Sequence, residues 1–258
     1  MKRLTALLTM CIMFTLTAVS AQAAANVAAL MYHSVTSDES RMDDYTVSPE
    51  QFENDIKYFT EHGYITLTAS ELANESMANI DGRKILLITL DDGYENFYTE
   101  VFPILKKYNA KATMFLIGSY IDRYGYVTQE QVYEMAHSGL VEIGNHTDNI
   151  HHAPVEHLKT IYNNPNCFYD IIDDIKNNNN ILKNITGYDI TSISWPYGYY
   201  TESIDSAVKN NLGYKISFST QYGVNYFTGN AYTPLKRMNR EHSATTEQVF
   251  ERADSKFN

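Results

Sequence analysis

Lys84-Ile85-Leu86-Leu87-Ile88-Thr89-Leu90-Asp91-Asp92-Gly93 is a short apolar run bounded by Gly82 and Gly93 and ending in two carboxylates. A run this rich in leucine and β-branched side chains reads as a buried strand. In α/β folds the carboxyl end of a strand is where ligands and catalysis gather, because the loops there vary over a rigid sheet. Successive side chains leave an extended backbone in different directions, so Asp91 and Asp92 can divide the work, one binding a metal and the other handling a proton. Carboxylates that close together call for a cation or a shared proton. A plain strand-ending turn is the competing reading, since Asp-Gly pairs are common turn formers.

On the amino-terminal side, residues 27–32 form an apolar strand that runs into Met31-Tyr32-His33. Ser48-Pro49-Glu50-Gln51 opens a helix, with Ser48 as cap, Pro49 in the first turn and Gln51 completing a capping box. A strand at 64–67 and a helix at 68–78 follow. Beyond Gly93 the pattern predicts a helix over 99–108, a strand at 112–117, a helix at 128–138 and a strand at 141–144. A long helical region over 167–185 comes next, kinked or interrupted by the asparagines at 177–180. Then come a strand at 193–195, a helix at 201–211, and strands at 214–218 and 232–238. Strands alternating with helices predict parallel βαβ units, closing into a barrel or lying in an open α/β sheet.

Lys2 and Arg3 precede an apolar run over 4–19 and then Ser20-Ala21-Gln22-Ala23. A positive start, an apolar middle and an Ala-x-Ala end spell a secretory signal peptide over 1–23, leaving 24–258 as a single domain that is secreted or held at the cell envelope. Loss of Lys2 and Arg3 moves the formal charge from −11 to −13. A surface that acidic argues against nucleic acid and other anionic polymers and suits neutral or cationic ligands. No later segment is apolar enough to span a membrane. Cys167 is the one cysteine left after cleavage, so stability must come from packing rather than from an intrachain disulfide.

Four polar groups fall at strand ends: His33, Asp91 with Asp92, His146 with His151, and Trp195 with Tyr197. In a barrel these ends converge on one face. One carboxylate and two imidazoles, with a position left for water, is the composition of a catalytic zinc-type site. The same histidines, with His152 and His157 close by, also suit a surface loop, and a lone histidine such as His33 also suits a structural role.

Thr89-Leu90-Asp91-Asp92-Gly93 resembles the Thr-Phe-Asp-Asp-Gly motif of the carbohydrate esterase family 4 polysaccharide deacetylases, the NodB-homology group. The segment from His146 to His151 resembles that family's second motif, although the histidines stand five positions apart rather than four. That spacing, with Met31-Tyr32-His33, is similar to the exported poly-N-acetylglucosamine deacetylase branch, in which the motif order is circularly permuted. The resemblance covers about residues 27–240.

It implies an α/β fold, a distorted (β/α) barrel of about seven strands. It also implies a divalent metal, zinc first with cobalt or nickel as alternatives, held by Asp92, His146 and His151. Asp91 would be the general base, His33 the acid that protonates the departing amine, and the backbone amide of Tyr197 a donor to the oxyanion. Arg237 would replace the third-motif arginine, whose position is Ile193 here; an ordinary surface arginine is the alternative. Tyr94, Trp195 and Tyr197 would offer faces to the sugar. The implied reaction is hydrolysis of N-acetyl groups on a polysaccharide containing N-acetylglucosamine, by a monomer with no nucleic-acid partner. An acetyl-xylan esterase and an inactive carbohydrate-binding protein are the alternatives.

Overall fold

The computed structural model describes residues 24–257, so the expected signal peptide over 1–23 lies outside the described residues. Seven strands pair in parallel in chain order: β1 (Ala25–Tyr32), β2 (Lys84–Leu90), β3 (Ala112–Leu116), β4 (Val141–Asn145), β5 (Ser192–Ser194), β6 (Ile216–Tyr222) and β7 (Leu235–Asn239). β7 returns to β1 through the pairs Leu30–Met238 and Met31–Asn239, which closes the sheet into a barrel. Of the two architectures open to the alternating chain, the closed one is realised. Closure pairs every barrel strand on both sides, which removes the exposed edges of an open sheet. Tyr64–Thr66 pairs in parallel with the start of β2, and Asn225–Phe227 pairs antiparallel with the start of β1.

The period of two along each strand sorts side chains between two cores. Val27, Ala29, Ile85, Leu87, Phe115, Ile216, Phe218 and Leu235 pack in one cluster, the barrel interior. Ala28, Leu30, Leu86, Ile88, Leu90, Met114 and Ile143 pack in the other, beneath the surrounding helices. Counting in twos from Ile85 and Leu87 leads to Thr89 and then Asp91. The same parity that fills the interior with apolar groups therefore aims Asp91 into the mouth of the barrel.

The helix Pro49–Glu61 starts with the expected capping box, the Ser48 hydroxyl accepting from the Gln51 amide while the Gln51 side chain accepts from Ser48 N–H. It buries Phe52, Ile56 and Phe59. The helix expected over 68–78 is instead two, Ala69–Asn74 and Met77–Ile80, because the Ser76 hydroxyl caps a new start. Helices Val155–Asn163 and Thr246–Asp254 are further elements that the pattern had not marked.

The helix Phe168–Thr186 runs unbroken through the asparagines expected to kink it. Asn178 is fully buried, and its amide donates to Leu116 O at 2.8 Å and Thr147 O at 2.7 Å. Partners across the helix–barrel interface thus offset the poor helix propensity of the run. Among the described residues no helix is long and apolar enough to cross a membrane.

Candidate metal centre

The carboxyl ends of β1, β2, β4, β5 and β7 enclose a cleft of about 580 Å³ lined by His33, Tyr45, Asp91, Asp92, Tyr94, His146, His151, Tyr197 and Asn239, among others. Asp92 Oδ1 stands 3.4 Å from His146 Nε2 and 3.5 Å from His151 Nε2. One ligand atom from each of the three residues fits within 4.8 Å of the others, close enough for a single ion. Asp91 turns the other way. Its two oxygens accept from Arg237 Nη1 at 2.8 Å and Nη2 at 2.7 Å, and Oδ2 also accepts from Ser194 Oγ at 3.1 Å.

The backbone bends to achieve this. Of the five non-glycine residues with positive φ among the described residues, three lie here: Asp92 at 76°, Thr147 at 64° and Tyr197 at 53°. Each such residue costs about 1–3 kcal/mol and persists where the surroundings over-determine it. Gly93 stands at φ 88°, where any L side chain is strained, and a Cβ there would also press on the tip of Leu116, 2.8 Å from Cδ2. Gly198 is equally fixed. Its φ is 76°, and a Cβ would meet Thr220 Oγ1 at 2.2 Å and Thr220 N at 2.9 Å. That close approach pins the Tyr197 turn against β6.

The helix Phe168–Thr186 templates the loop that carries both histidines. Asp174 accepts from the backbone N–H groups of Asp148, Asn149 and Ile150 at 2.8, 2.8 and 3.1 Å. Asn145 donates to Ile175 O at 3.0 Å and to Asn179 Oδ1 at 2.8 Å. The sequence marks Asn178 only as part of a run expected to kink the helix and does not mark Asp174; polar residues among the apolar positions of an amphipathic helix were the available signal. Only one of the two neighbouring histidines reaches the centre. His152 Nε2 meets Ser119 Oγ at 2.8 Å, whereas the His151 side chain is 10% exposed and faces Asp92.

His146 Nδ1 lies 2.8 Å from Ser194 O. A carbonyl can only accept, so Nδ1 carries a hydrogen and Nε2 is the atom turned to the cleft. Burial lowers the pKa of this ring, but Asp91 and Asp92 together outweigh it and raise the value, so a metal would take the place of the Nε2 proton. Burial, and then the neighbouring His146, push His151 down to about 4, which leaves its ring neutral at neutral pH and able to ligate. Burial alone would raise the Asp91 carboxyl, but Arg237, helped by His146 and His33, outweighs it and holds the group well below the usual carboxylate range. Asp91 is therefore an anion, 3.9 Å from His146 Nε2. Burial also lowers His33, whose Nδ1 is enclosed without a protein partner.

Arg237 is 1% exposed and lies in the barrel interior, not on the surface. Tyr94 lines the cleft and stacks on Tyr126 at 5.3 Å, while Tyr197 is 51% exposed and tilts toward His151 at 5.2 Å. Trp195 does not face the cleft. It is fully buried, with its indole N–H donating to Asp205 Oδ1 at 3.1 Å and its ring packed edge-on against Tyr162. The expectation that it meets sugar is therefore corrected. Trp195 follows β5 on the opposite parity from Ser194, so the alternation that turns Ser194 toward Asp91 turns Trp195 out beneath the helices.

The sequence model of the family described as "Polysaccharide deacetylase" matches residues 78–217, more than half of the 258. The chain belongs to that family. YxkH of Bacillus subtilis (strain 168) is 34% identical over 197 residues, which cover 75% of this chain and 64% of that protein. A poly-beta-1,6-N-acetyl-D-glucosamine N-deacetylase of Staphylococcus aureus (strain MSSA476) is 26% identical over 190 residues, covering 72% of this chain and 64% of that protein. The matches thus span 64% of the length of these relatives. Among solved structures, IcaB from Ammonifex degensii superposes with a TM-score of 0.73 at 24% identity, over 89% of this chain and 96% of that one. A de-N-acetylase from Aggregatibacter actinomycetemcomitans gives 0.74 at 23%, over 88% and 99%. At those identities the two structures bear on the fold, which is the distorted (β/α) barrel of the family.

Proposed function

We propose that the chain is an exported, metal-dependent deacetylase that hydrolyses N-acetyl groups on a polymer containing N-acetylglucosamine, releasing acetate and leaving a free amine. One observation carries the reading: three ligand atoms within 4.8 Å of one another, beside a buried carboxylate that is paired with an arginine and stands outside the set. The activity named for the Staphylococcus aureus relative supports the polymer, and the acidic chain suits a neutral or partly cationic glycan.

A divalent metal held by Asp92, His146 and His151, zinc first by its ligand chemistry, would polarise the acetamide carbonyl and acidify the attacking water. Asp91 takes the proton of that water as its oxygen bonds to the carbonyl carbon. Arg237 keeps Asp91 ionised and holds its oxygens in one orientation. The backbone N–H of Tyr197, in its left-handed turn, donates to the carbonyl oxygen as negative charge gathers there. His33 gives a proton to the amide nitrogen as the C–N bond breaks. Burial lowers the pKa of that ring, so the imidazolium is the minority form at neutral pH and a strong acid when it forms.

The test is an acetate-release panel on poly-β-1,6-N-acetylglucosamine, chito-oligosaccharides and acetylated xylan, with and without chelator. Acetate should come from the amide substrates, disappear with chelator and return with zinc. Turnover that survives chelation overturns the metal mechanism, and release from xylan alone moves the chain to the esters.

His151→Ala should cost more metal affinity than the roughly 10–100-fold that removing an outer-shell partner costs. His152→Ala should purify with near-stoichiometric metal. Elemental analysis of the two variants decides between them.

A further inference from the structure

With Trp195 buried, the sugar needs another seat. Tyr45 is 56% exposed at the rim of the same cleft, although its backbone is tightly held. Its N–H donates to Asp43 Oδ1 at 2.8 Å, its carbonyl accepts from Ser34 N–H at 3.0 Å, and the neighbouring Asp44 carbonyl accepts from Asn239 Nδ2 at 2.6 Å. The strand pair Ser34–Val35 and Thr46–Val47 brackets it. A rigid backbone carrying a ring more than half exposed is an expensive way to make a loop, unless the position of the ring matters.

Tyr45 meets His33 edge to face, 5.0 Å between ring centroids and 80° between planes. Tyr197 lies beside His151, on the metal side. His33 follows β1 and Tyr197 follows β5, and in a closed ring of seven strands these are three or four places apart either way round. The two exposed rings therefore reach one cleft, which also holds Asp92, His146 and His151, from well-separated strand ends.

We propose that Tyr45 is a substrate-binding residue that, with Tyr197, clamps one pyranose ring of a β-linked N-acetylhexosamine chain over the metal centre. This deepens the deacetylase reading and rests on it for the identity of the sugar. A pyranose in its chair form offers apolar C–H faces above and below, and an aromatic ring on each side covers both while the hydroxyls stay at the wet edges. Held between the rings, the sugar would bring its 2-acetamido group down to the triad, with its nitrogen toward His33.

The test separates binding from turnover by titrating wild type, Tyr45→Ala and Tyr45→Phe with N-acetylglucosamine tetramer in a calorimeter, and by measuring acetate release in parallel. Tyr45→Ala should weaken the tetramer roughly tenfold, with most of the kinetic loss in KM rather than kcat. Tyr45→Phe, which keeps the ring face, should bind like wild type. Tetramer binding unchanged in Tyr45→Ala, lost equally in Tyr45→Phe, or absent from the wild type overturns the clamp. If the wild type binds the tetramer, Tyr45→Ala weakens it and no acetate appears from any glycan, the clamp stands and the deacetylase reading falls alone.

Discussion

Asp91→Asn is expected to purify with its metal and to lose turnover by about 10²–10⁴-fold, the usual worth of a positioned general base. The metal remains because Asp91 lies outside the ligand set of Asp92, His146 and His151. Turnover goes because an amide cannot take the proton of water. A stability cost accompanies it: both Asp91 oxygens accept from Arg237, and the new NH₂ would face one of those donors, leaving a buried hydrogen bond unmade at about 1–3 kcal/mol. Elemental analysis, initial rates and a denaturant titration separate the three effects. Near-normal rates with full metal content would remove Asp91 from the base role, whatever the stability change.

The parallel α/β sheet was legible in the sequence because its strands bury both faces. Runs such as 84–90 and 112–116 carry an apolar signal that few other environments produce, and helices separated them at regular intervals. Closure was not legible: it depends on β7 meeting β1, a contact between residues about 200 positions apart that leaves no local trace. The same distance hid the ends of the chain. Thr246–Asp254 is held by Asp55, which accepts from Thr246 and Arg240 and also from the Tyr32 hydroxyl. No local pattern announces a network assembled from three separate segments.

Within the cleft, what sequence exposed were residues whose chemistry is costly to bury and whose spacing is short: Asp91 with Asp92, and His146 with His151. It could not tell which way a side chain points one residue beyond a strand. Trp195 and Ser194 are neighbours, one packed beneath the helices and one on Asp91, and a half-turn of the strand separates those fates. Nor could it see that Asp174 and the asparagines of Phe168–Thr186 hold the histidine loop. Asp174 and Asn178 bond mainly to backbone groups, which carry no residue identity.

Arg237→Met should lower stability by about 3–5 kcal/mol at neutral pH, the cost of leaving one member of a buried ion pair behind. Arg237 is 1% exposed and Asp91 2%, so water cannot easily replace the guanidinium. The pH dependence identifies the cause. In the wild type the folded Asp91 pKa is depressed, so the pair contributes stability above the unfolded carboxyl value of about 3.9 and loses it as pH falls through the folded value. Without Arg237 the folded Asp91 pKa moves up, since burial then acts against fewer opposing charges. Between the two folded values the variant carries a proton that the wild type does not, so the gap in stability between them narrows as pH falls. In turnover the same shift moves the acid limb of kcat/KM to higher pH. Urea titrations of metal-free protein at several pH values test the first claim, and a pH–rate profile tests the second. A gap that stays constant from neutral pH down to about pH 4 would mean that Arg237 acts through packing alone, and Asp91 would need another source for its charge.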